Sequence, residues 1–212
     1  MIFFLYPLLF SLKEFVSENK IILNDNLNNR IDILDRDYIG FISNRGSKIF
    51  MRNIYDNEND KDYKINLSEN DFFKDFYGIR TGNLEQMNTL VFAEGVFDIL
   101  YGYRNKNLNN IRKNSYYWIA NMGNRYDSVI LSALDFCKIC RANVIILSDK
   151  DVDLNSYKKL YFNPQIINLN IYYNKCGKDF GEGTINPIKI DFRRYFNGRR
   201  KNTTSLKDLC RN

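Results

Sequence analysis

Histidine is absent from this 212-residue chain, and proline (3), tryptophan (1) and cysteine (4) are scarce. Without an imidazole, Ser/His hydrolase pairs and His-ligated metal sites are excluded. Acid and base chemistry then falls to carboxylates, Lys, Tyr, Cys or metal-bound water. The cysteines Cys137, Cys140, Cys176 and Cys210 form no dense framework, which fits a reducing compartment. The pair "CKIC" has the spacing of half a zinc site, but it falls in an apparent helix and no second CxxC or His supplies the other ligands, so buried structural thiols are expected. Long apolar runs are missing as well. The opening "MIFFLYPLLF" is ten apolar residues, about half of what a bilayer crossing needs, and no basic residue precedes it as in a signal peptide. A first helix over residues 7–19, packed on the core, is expected instead, and no membrane partner. No repeat and no Pro-rich linker divides the chain.

What is present suffices for a folded protein: 44% hydrophobic residues can bury a core, in one compact domain with an appendage or in two small subdomains. The net charge is +6, and residues 189–212 alone carry eight Lys/Arg against two Asp, so the basic excess belongs to the tail. Such a tail attracts phosphates or simply stays solvated. "DYIGFISNRGSKIFMRNI" reads as two strands joined by a turn at "SNRGS", and "YDNENDKD" as a loop. From Thr89 strands and helices alternate: "TLVFAE" then "VFDILYGY", "YYWIAN" then "RYDSVILSALDFCKIC", "VIILSD" then "LNSYKKLYF", and lastly "QIINLNIYY". Ile130, Ala133, Leu134 and Cys137 form the stripe of a helix laid on a sheet. Apolar strands separated by helices predict a parallel sheet covered on both faces, hence an α/β domain over about residues 85–185 behind a smaller N-terminal part.

In such sheets ligands bind at the carboxyl ends of the strands. Two strands deliver acids there: "LVFAEG" brings Glu94, and "VIILSDKDVD" brings Asp149 and Asp151. Residues i and i+2 of an extended segment face the same side, so Asp149 and Asp151 can point together. Like charges so close repel unless a cation sits between them, and Mg²⁺ binds through a few carboxylates while keeping waters and phosphate oxygens. Asp98, one helical turn beyond Glu94, can face the same site. Asp153, just before "LNSYKKL", reads as a helix cap. The pattern asks for a divalent metal and a phosphate substrate.

"EGVFD", "SDKD" and "GKDFGE", in that order on alternating strands and helices, resemble the Toprim domain, the metal-binding fold shared by bacterial-type DNA primases, topoisomerases and certain nucleases. "ANMGNR" resembles the Gly-containing turn after the second strand in primases. Upstream, "YKINLSENDFFKDFYGI" and "DYIGFISNRGSKIFMR" resemble the segments that precede the Toprim glutamate in DnaG-type primases. The resemblance covers about residues 30–185, the RNA polymerase core of a primase.

The fold this implies is α/β: a Toprim-like parallel sheet flanked by helices at 85–185, with a smaller α+β N-terminal subdomain at 1–84 and a basic tail at 186–212. The resemblance also implies a nucleotidyltransferase that makes short RNA primers on a single-stranded DNA template from ribonucleoside triphosphates. Glu94, Asp98, Asp149, Asp151 and Asp179 match the family's acidic cluster, which holds Mg²⁺ or Mn²⁺, with Glu94, Asp149 and Asp151 as the catalytic set and Glu94 as ligand or base. Lys64 and Lys74 match basic positions of the template and nucleotide groove, and Arg45 and Arg52 are added because cations along a phosphate track contribute affinity without sequence information; a solvated surface role is the alternative for all four.

Two departures stand out. "VDLN" replaces the family's small Ala-Gly pair after the DxD, and Gly181 stands where a second acid often follows Asp179, with Glu182 one position further on as a candidate substitute. No zinc-binding module or helicase-binding domain is evident. A phage-type or mobile-element core would fit, working in a bacterial or phage-infected cytoplasm, with those functions missing or supplied by partners such as a replicative helicase. A Toprim nuclease and a non-catalytic nucleic-acid-binding accessory protein are the competing readings.

Overall fold

Ser11 decides where the first apolar run changes structure. In the computed structural model, which describes residues 8–55, 63–67, 74–82, 88–181 and 183–191, Leu8–Leu9 forms a short strand, β1, and the Ser11 side chain accepts the Glu14 N–H to start helix α1 at Leu12–Glu18. The helix expected over residues 7–19 is thus shorter at its start. A Ser cap stabilises that start by about 1 kcal/mol, while β1 is held by pairing Leu8 and Leu9 with Phe41 and Gly40. Helices α2 (Asp25–Asn28) and α3 (Ile31–Asp37) lead into strands β2 (Tyr38–Ile42), β3 (Lys48–Asn53) and β4 (Tyr63–Asn66). The expected hairpin at "SNRGS" is present, and the sheet has the antiparallel order β1-β2-β3-β4. Alternation gives this sheet two different faces. On one, Tyr38, Ile49, Met51 and Ile65 pack with Leu9, Leu12 and Leu34 into a buried core; each such fully buried side chain contributes about 1.5–3 kcal/mol.

The chain divides into two compact units, Met1–Tyr77 and Gly78–Asn212. The second is built on strands β5 (Tyr77–Arg80) and β6 (Thr89–Ala93), helices α4 (Val96–Arg104) and α5 (Asn109–Lys113), β7 (Tyr117–Ala120), α6 (Tyr126–Cys137), β8 (Ala142–Ser148), α7 (Lys158–Tyr161), β9 (Ile166–Asn174) and β10 (Pro187–Lys189). These strands form one mostly parallel sheet in the order β10-β9-β8-β6-β7-β5, with β10 antiparallel to β9. The protein is therefore mixed α/β, as the alternation of apolar runs and amphipathic helices predicts.

β6, buried from Leu90 to Ala93, and the fully buried β7 lie at the sheet's interior, and Ile130, Ala133, Leu134 and Cys137 of α6 are buried as their spacing requires. Trp118, fully buried, satisfies its indole N–H with Ser115 Oγ at 2.7 Å. Coverage of both faces is incomplete at β9, where Asn143, Asn168 and Asn170 line an open cavity instead of an apolar interface.

Helix α6 ends at Cys137, with Lys138 in the left-handed conformation (φ 56°), so "CKIC" is not inside a helix. Cys137 is buried, and burial pushes its thiol up to about 11. Cys140 is exposed, which corrects the expectation of a buried thiol there, and Cys176 is exposed as well. Among the described residues no helix is long and apolar enough to cross a membrane. The loop at 56–62, Glu182, Cys210 and the tail beyond Asp191 lie outside the described residues.

Candidate functional site

Parallel strands leave the second unit's sheet at one edge, and the chain places an acid at three of those exits. Ala93 of β6 stands beside Leu147 of β8, and Ser148 beside Tyr173 of β9. Glu94 and Asp149 therefore leave neighbouring strands at nearly the same level, and Asp179 follows β9 in the next loop. Asp98 reaches this edge from the first turn of α4. Its Oδ2 accepts the Gly95 N–H at 2.8 Å and its Oδ1 accepts the Phe180 N–H at 3.2 Å. One buried carboxylate thereby ties the start of α4 to the loop that carries Asp179. Two glycines make room for it: a Cβ on Gly95 would stand 2.9 Å from Asp98 Oδ2, and one on Gly181 would stand 3.1 Å from Oδ1.

The loops are also tied to one another. Lys150 N–H donates to Lys178 O at 2.8 Å, joining the turn after β8 to the loop after β9. Asn174, fully buried, donates from Nδ2 to Asp179 O at 2.8 Å and accepts from Cys176 N–H and Asn186 N–H.

Burial and the charge of neighbouring acids leave Asp98 and Asp149 reluctant to ionise. Burial raises Asp98 to about 6, with Asp179 and Glu94 adding to the rise and the Gly95 and Phe180 N–H groups opposing it. Asp149 rises to about 7 through burial and then the charges of Asp98, Glu94 and Asp179, against Lys178. These two shifts identify Glu94, Asp98, Asp149 and Asp179 as a single electrostatic group.

Asp151 stands differently. Strand β8 ends at Ser148, and the Val152 N–H turns back to Asp149 O at 3.4 Å. Asp149 and Asp151 thus lie in a turn, not in an extended segment, and the argument that i and i+2 share a side does not hold here. Asp151 is exposed. Asp153 is the expected cap: its Oδ1 accepts the Asn155 N–H at 2.9 Å, opening a 3₁₀ turn at Leu154–Tyr157.

Among the described residues, no three Asp, Glu or Cys side chains are gathered closely enough to hold a metal as they stand. The donor set nonetheless suits a hard divalent cation. It consists of carboxylate oxygens with no nitrogen or sulfur ligand, and a cation among them would offset the repulsion that raises Asp98 and Asp149.

The first unit carries the basic candidates. Register puts Arg52 beside Ile39, Phe50 beside Phe41 and Lys64, and Lys48 beside Asn66. Lys48, Arg52 and Lys64 consequently share the sheet face opposite the Leu12 and Leu34 core, interleaved with Phe41 and Phe50. Arg45 is exposed in the hairpin turn, and Lys74 is half-buried just before β5.

No family model and no curated protein matches the chain. A crystal structure of the zinc-binding and RNA polymerase domains of the Aquifex aeolicus primase is similar to it, with a TM-score of 0.43 and 17% identity over 78% of this chain and 44% of that one. The chain thus spans less than half the length of that structure.

Beneath the acids lies a hydroxyl network that the sequence does not announce. Ser148 Oγ and Tyr157 Oη are 2.7 Å apart, and Tyr126 bonds to Tyr157. Both tyrosines are held well above their ordinary pKa, Tyr126 by burial and then by Tyr157, Glu94, Asp149 and Asp98. They stay protonated and act as donors beside the carboxylates. With 15 tyrosines in the chain, nothing in the sequence marks these two. Asn121, at the end of β7, is 1% exposed and its Oδ1 has no partner. A cavity of about 400 Å³ opens next to Tyr126, lined also by Arg125, Asp127, Asn155, Ser156 and Lys159.

Proposed function

We propose that this chain is a DnaG-like primase core with a Toprim-type metal site, which joins ribonucleotides into short RNA primers on single-stranded DNA. The observation that carries the reading is the electrostatic group at the sheet edge. Glu94, Asp98, Asp149 and Asp179, the acids of "EGVFD", "SDKD" and "GKDFGE", come from three segments, and Asp98 and Asp149 are raised first by burial and then by the charges of the others.

Glu94, Asp149 and Asp179 hold Mg²⁺ or Mn²⁺ in this reading, with Asp151 joining from its turn. Such an ion supplies charge neutralisation for a triphosphate and for the attacking 3′-hydroxyl. Asp98 serves mainly to orient, because both of its oxygens already accept backbone N–H groups that set the loops around the acids. Tyr126 and Tyr157 offer donors, not bases. Arg125 and Lys159 border a cavity beside Tyr126 with room for phosphates. In the first unit, the face bearing Lys48, Arg52 and Lys64, together with Arg45 and Lys74, tracks the template backbone. Cations contact phosphates there, and the interleaved Phe50 offers an aromatic surface to bases.

The test is incorporation of labelled ribonucleotides on a single-stranded DNA template, titrated with Mg²⁺ and Mn²⁺. Synthesis should appear only with metal, and Glu94→Gln should lower it by about 100-fold or more, the usual effect of losing one group that stabilises transition-state charge. Synthesis persisting in that variant rules out the site. Template cleavage without synthesis points to a nuclease, and binding without either activity to an accessory protein.

A further inference from the structure

Asp75 takes no part in the acid group at the sheet edge, yet it is 1% exposed and among the most densely hydrogen-bonded acids described. It sits directly after Lys74, and the hairpin turn between β2 and β3 folds around its carboxylate. Oδ2 accepts Ser43 Oγ at 2.5 Å, Ser47 Oγ at 2.8 Å and Ser47 N–H at 3.2 Å. The Arg45 N–H lies 3.2 Å from Oδ1 and 3.3 Å from Oδ2, and the Phe76 N–H donates to Oδ1 at 2.9 Å. The arrangement is closed by Asn44 N–H on Phe76 O at 2.8 Å and by Lys48 N–H on Ser43 Oγ at 2.9 Å. The turn is an anion-binding nest of backbone and hydroxyl donors, and its occupant is a carboxylate of the same chain.

This geometry joins the turn that carries Arg45 and Lys48 to the segment of Lys74, which is distant in sequence. Arg45 stands in the turn, Lys48 at its exit, and Lys74 next to the carboxylate that the turn encloses. Gly46, with φ 70° and open space around its Cα, lets the chain complete the turn.

We infer that Asp75 is a positioning residue for nucleic-acid binding: by filling the 43–47 turn it holds Arg45, Lys48 and Lys74 in one fixed cationic fork for a single-strand phosphate backbone. The inference rests on the primase reading for its ligand, but its mechanism is local to the first unit. A rigid fork loses less freedom on binding than three independent side chains do, so its contribution appears as affinity and as coupling between the cations. The Asp75 carboxylate is consumed by internal donors and does not itself oppose the phosphate.

The experiment is fluorescence anisotropy of a labelled single-stranded oligodeoxynucleotide over a sodium chloride series. The full-length chain is compared with Asp75→Asn, Ser47→Ala, Arg45→Ala and the double variant Asp75→Asn/Arg45→Ala. Asp75→Asn should weaken binding about 10-fold and lower the salt slope by about 0.7 to 1.4, the equivalent of one or two single-strand phosphate contacts. Ser47→Ala keeps the carboxylate and removes one of its donors, so it should shift binding the same way by a smaller factor. Arg45→Ala should weaken the wild type several-fold but have almost no further effect in the Asp75→Asn background.

A purely structural Asp75 would reduce the fraction of active protein and leave the slope of the remainder unchanged. Arg45→Ala would then retain its full factor in the double variant, and that result overturns the inference. If Asp75→Asn does not fold, as judged by circular dichroism, the same decision is read from Ser47→Ala and Ser47→Ala/Arg45→Ala. A wild-type chain that does not bind the oligonucleotide defeats the primase reading as well, which separates that failure from a failure of positioning alone.

Discussion

Replacing Asp149 by Asn makes the chain more stable in the absence of divalent metal, by an amount that grows as the pH rises from about 4 and is full above about 7. The sign follows from the direction of the shifts. Asp149 goes from 3.8 to about 7, and Asp98 from 3.8 to about 6. A group whose folded pKa lies above its unfolded value contributes stability that is full below the unfolded value and is lost as the pH rises through the folded one. The metal-free protein should therefore weaken between about pH 4 and pH 7. At about 1.4 kcal/mol per pH unit, the Asp149 rise from 3.8 to about 7 sets an upper bound of about 4 kcal/mol. Partial exposure screens the charge and reduces this to about 1–2 kcal/mol. For a chain of this size that is a gain of about 4 °C in Tm at pH 8 in EDTA.

Magnesium offsets the difference. If 10 mM Mg²⁺ is about ten times the dissociation constant of the wild-type site, binding stabilises the wild type by about 1.4 kcal/mol, and Asp149→Asn gains almost nothing. The assay is thermal unfolding of both proteins by circular dichroism at pH 4 and pH 8, each with EDTA and with MgCl₂. A small Tm difference at pH 4, a clearly more stable variant at pH 8 in EDTA and a magnesium shift at pH 8 confined to the wild type are the expected results. A variant that is less stable at pH 8 in EDTA, with an equal magnesium shift in both proteins, refutes the claim that Asp149 faces uncompensated negative charge at a metal site.

Two other outcomes test the remaining structure. Replacing Lys48, Arg52 and Lys64 together by alanine should lower the salt slope of single-stranded DNA binding by about 2, at about 0.7 per lost contact; an unaltered slope removes this sheet face from the template path. Gly78→Ala places a Cβ 2.5 Å from Tyr117 Cε1 and 3.0 Å from Trp118 O, a clash with packed ring and backbone that should cost about 1–3 kcal/mol in urea unfolding.

Much of the second unit is legible in the sequence because its strands are short apolar runs and its helices have a clear period. Thr89–Ala93, Tyr117–Ala120 and Ala142–Ser148 are bounded by Gly, Asn and Asp, which stop a strand for local reasons. The stripe on α6 and the Asp153 cap are local as well, and both stand where spacing and residue type put them. Local signals fail where pairing competes with them. Leu8 and Leu9 extend an apolar run that reads as helix, but a sheet edge offered by Phe41 and Gly40 takes their backbone. The DxD pattern suggests two acids side by side, yet the turn closed by Val152 separates the case of Asp149 from that of Asp151.

The sequence by itself determined the kinds of group available: carboxylates without histidine, two clusters of cations, and strands that must end in acid. Only the tertiary structure decided which of those groups act together. Asp98 looks like a metal ligand in its motif, but its oxygens are largely occupied by the N–H groups of Gly95 and Phe180, 85 positions apart. Asp75 has no assigned role in "YKINLSENDFFKDFYGI", and it becomes the centre of the Ser43–Ser47 turn because that turn's hydroxyl and N–H donors converge on its carboxylate. A side chain's charge is written in the sequence. Its pKa and its partners depend on burial and on neighbours brought from distant segments, and those are properties of the folded chain.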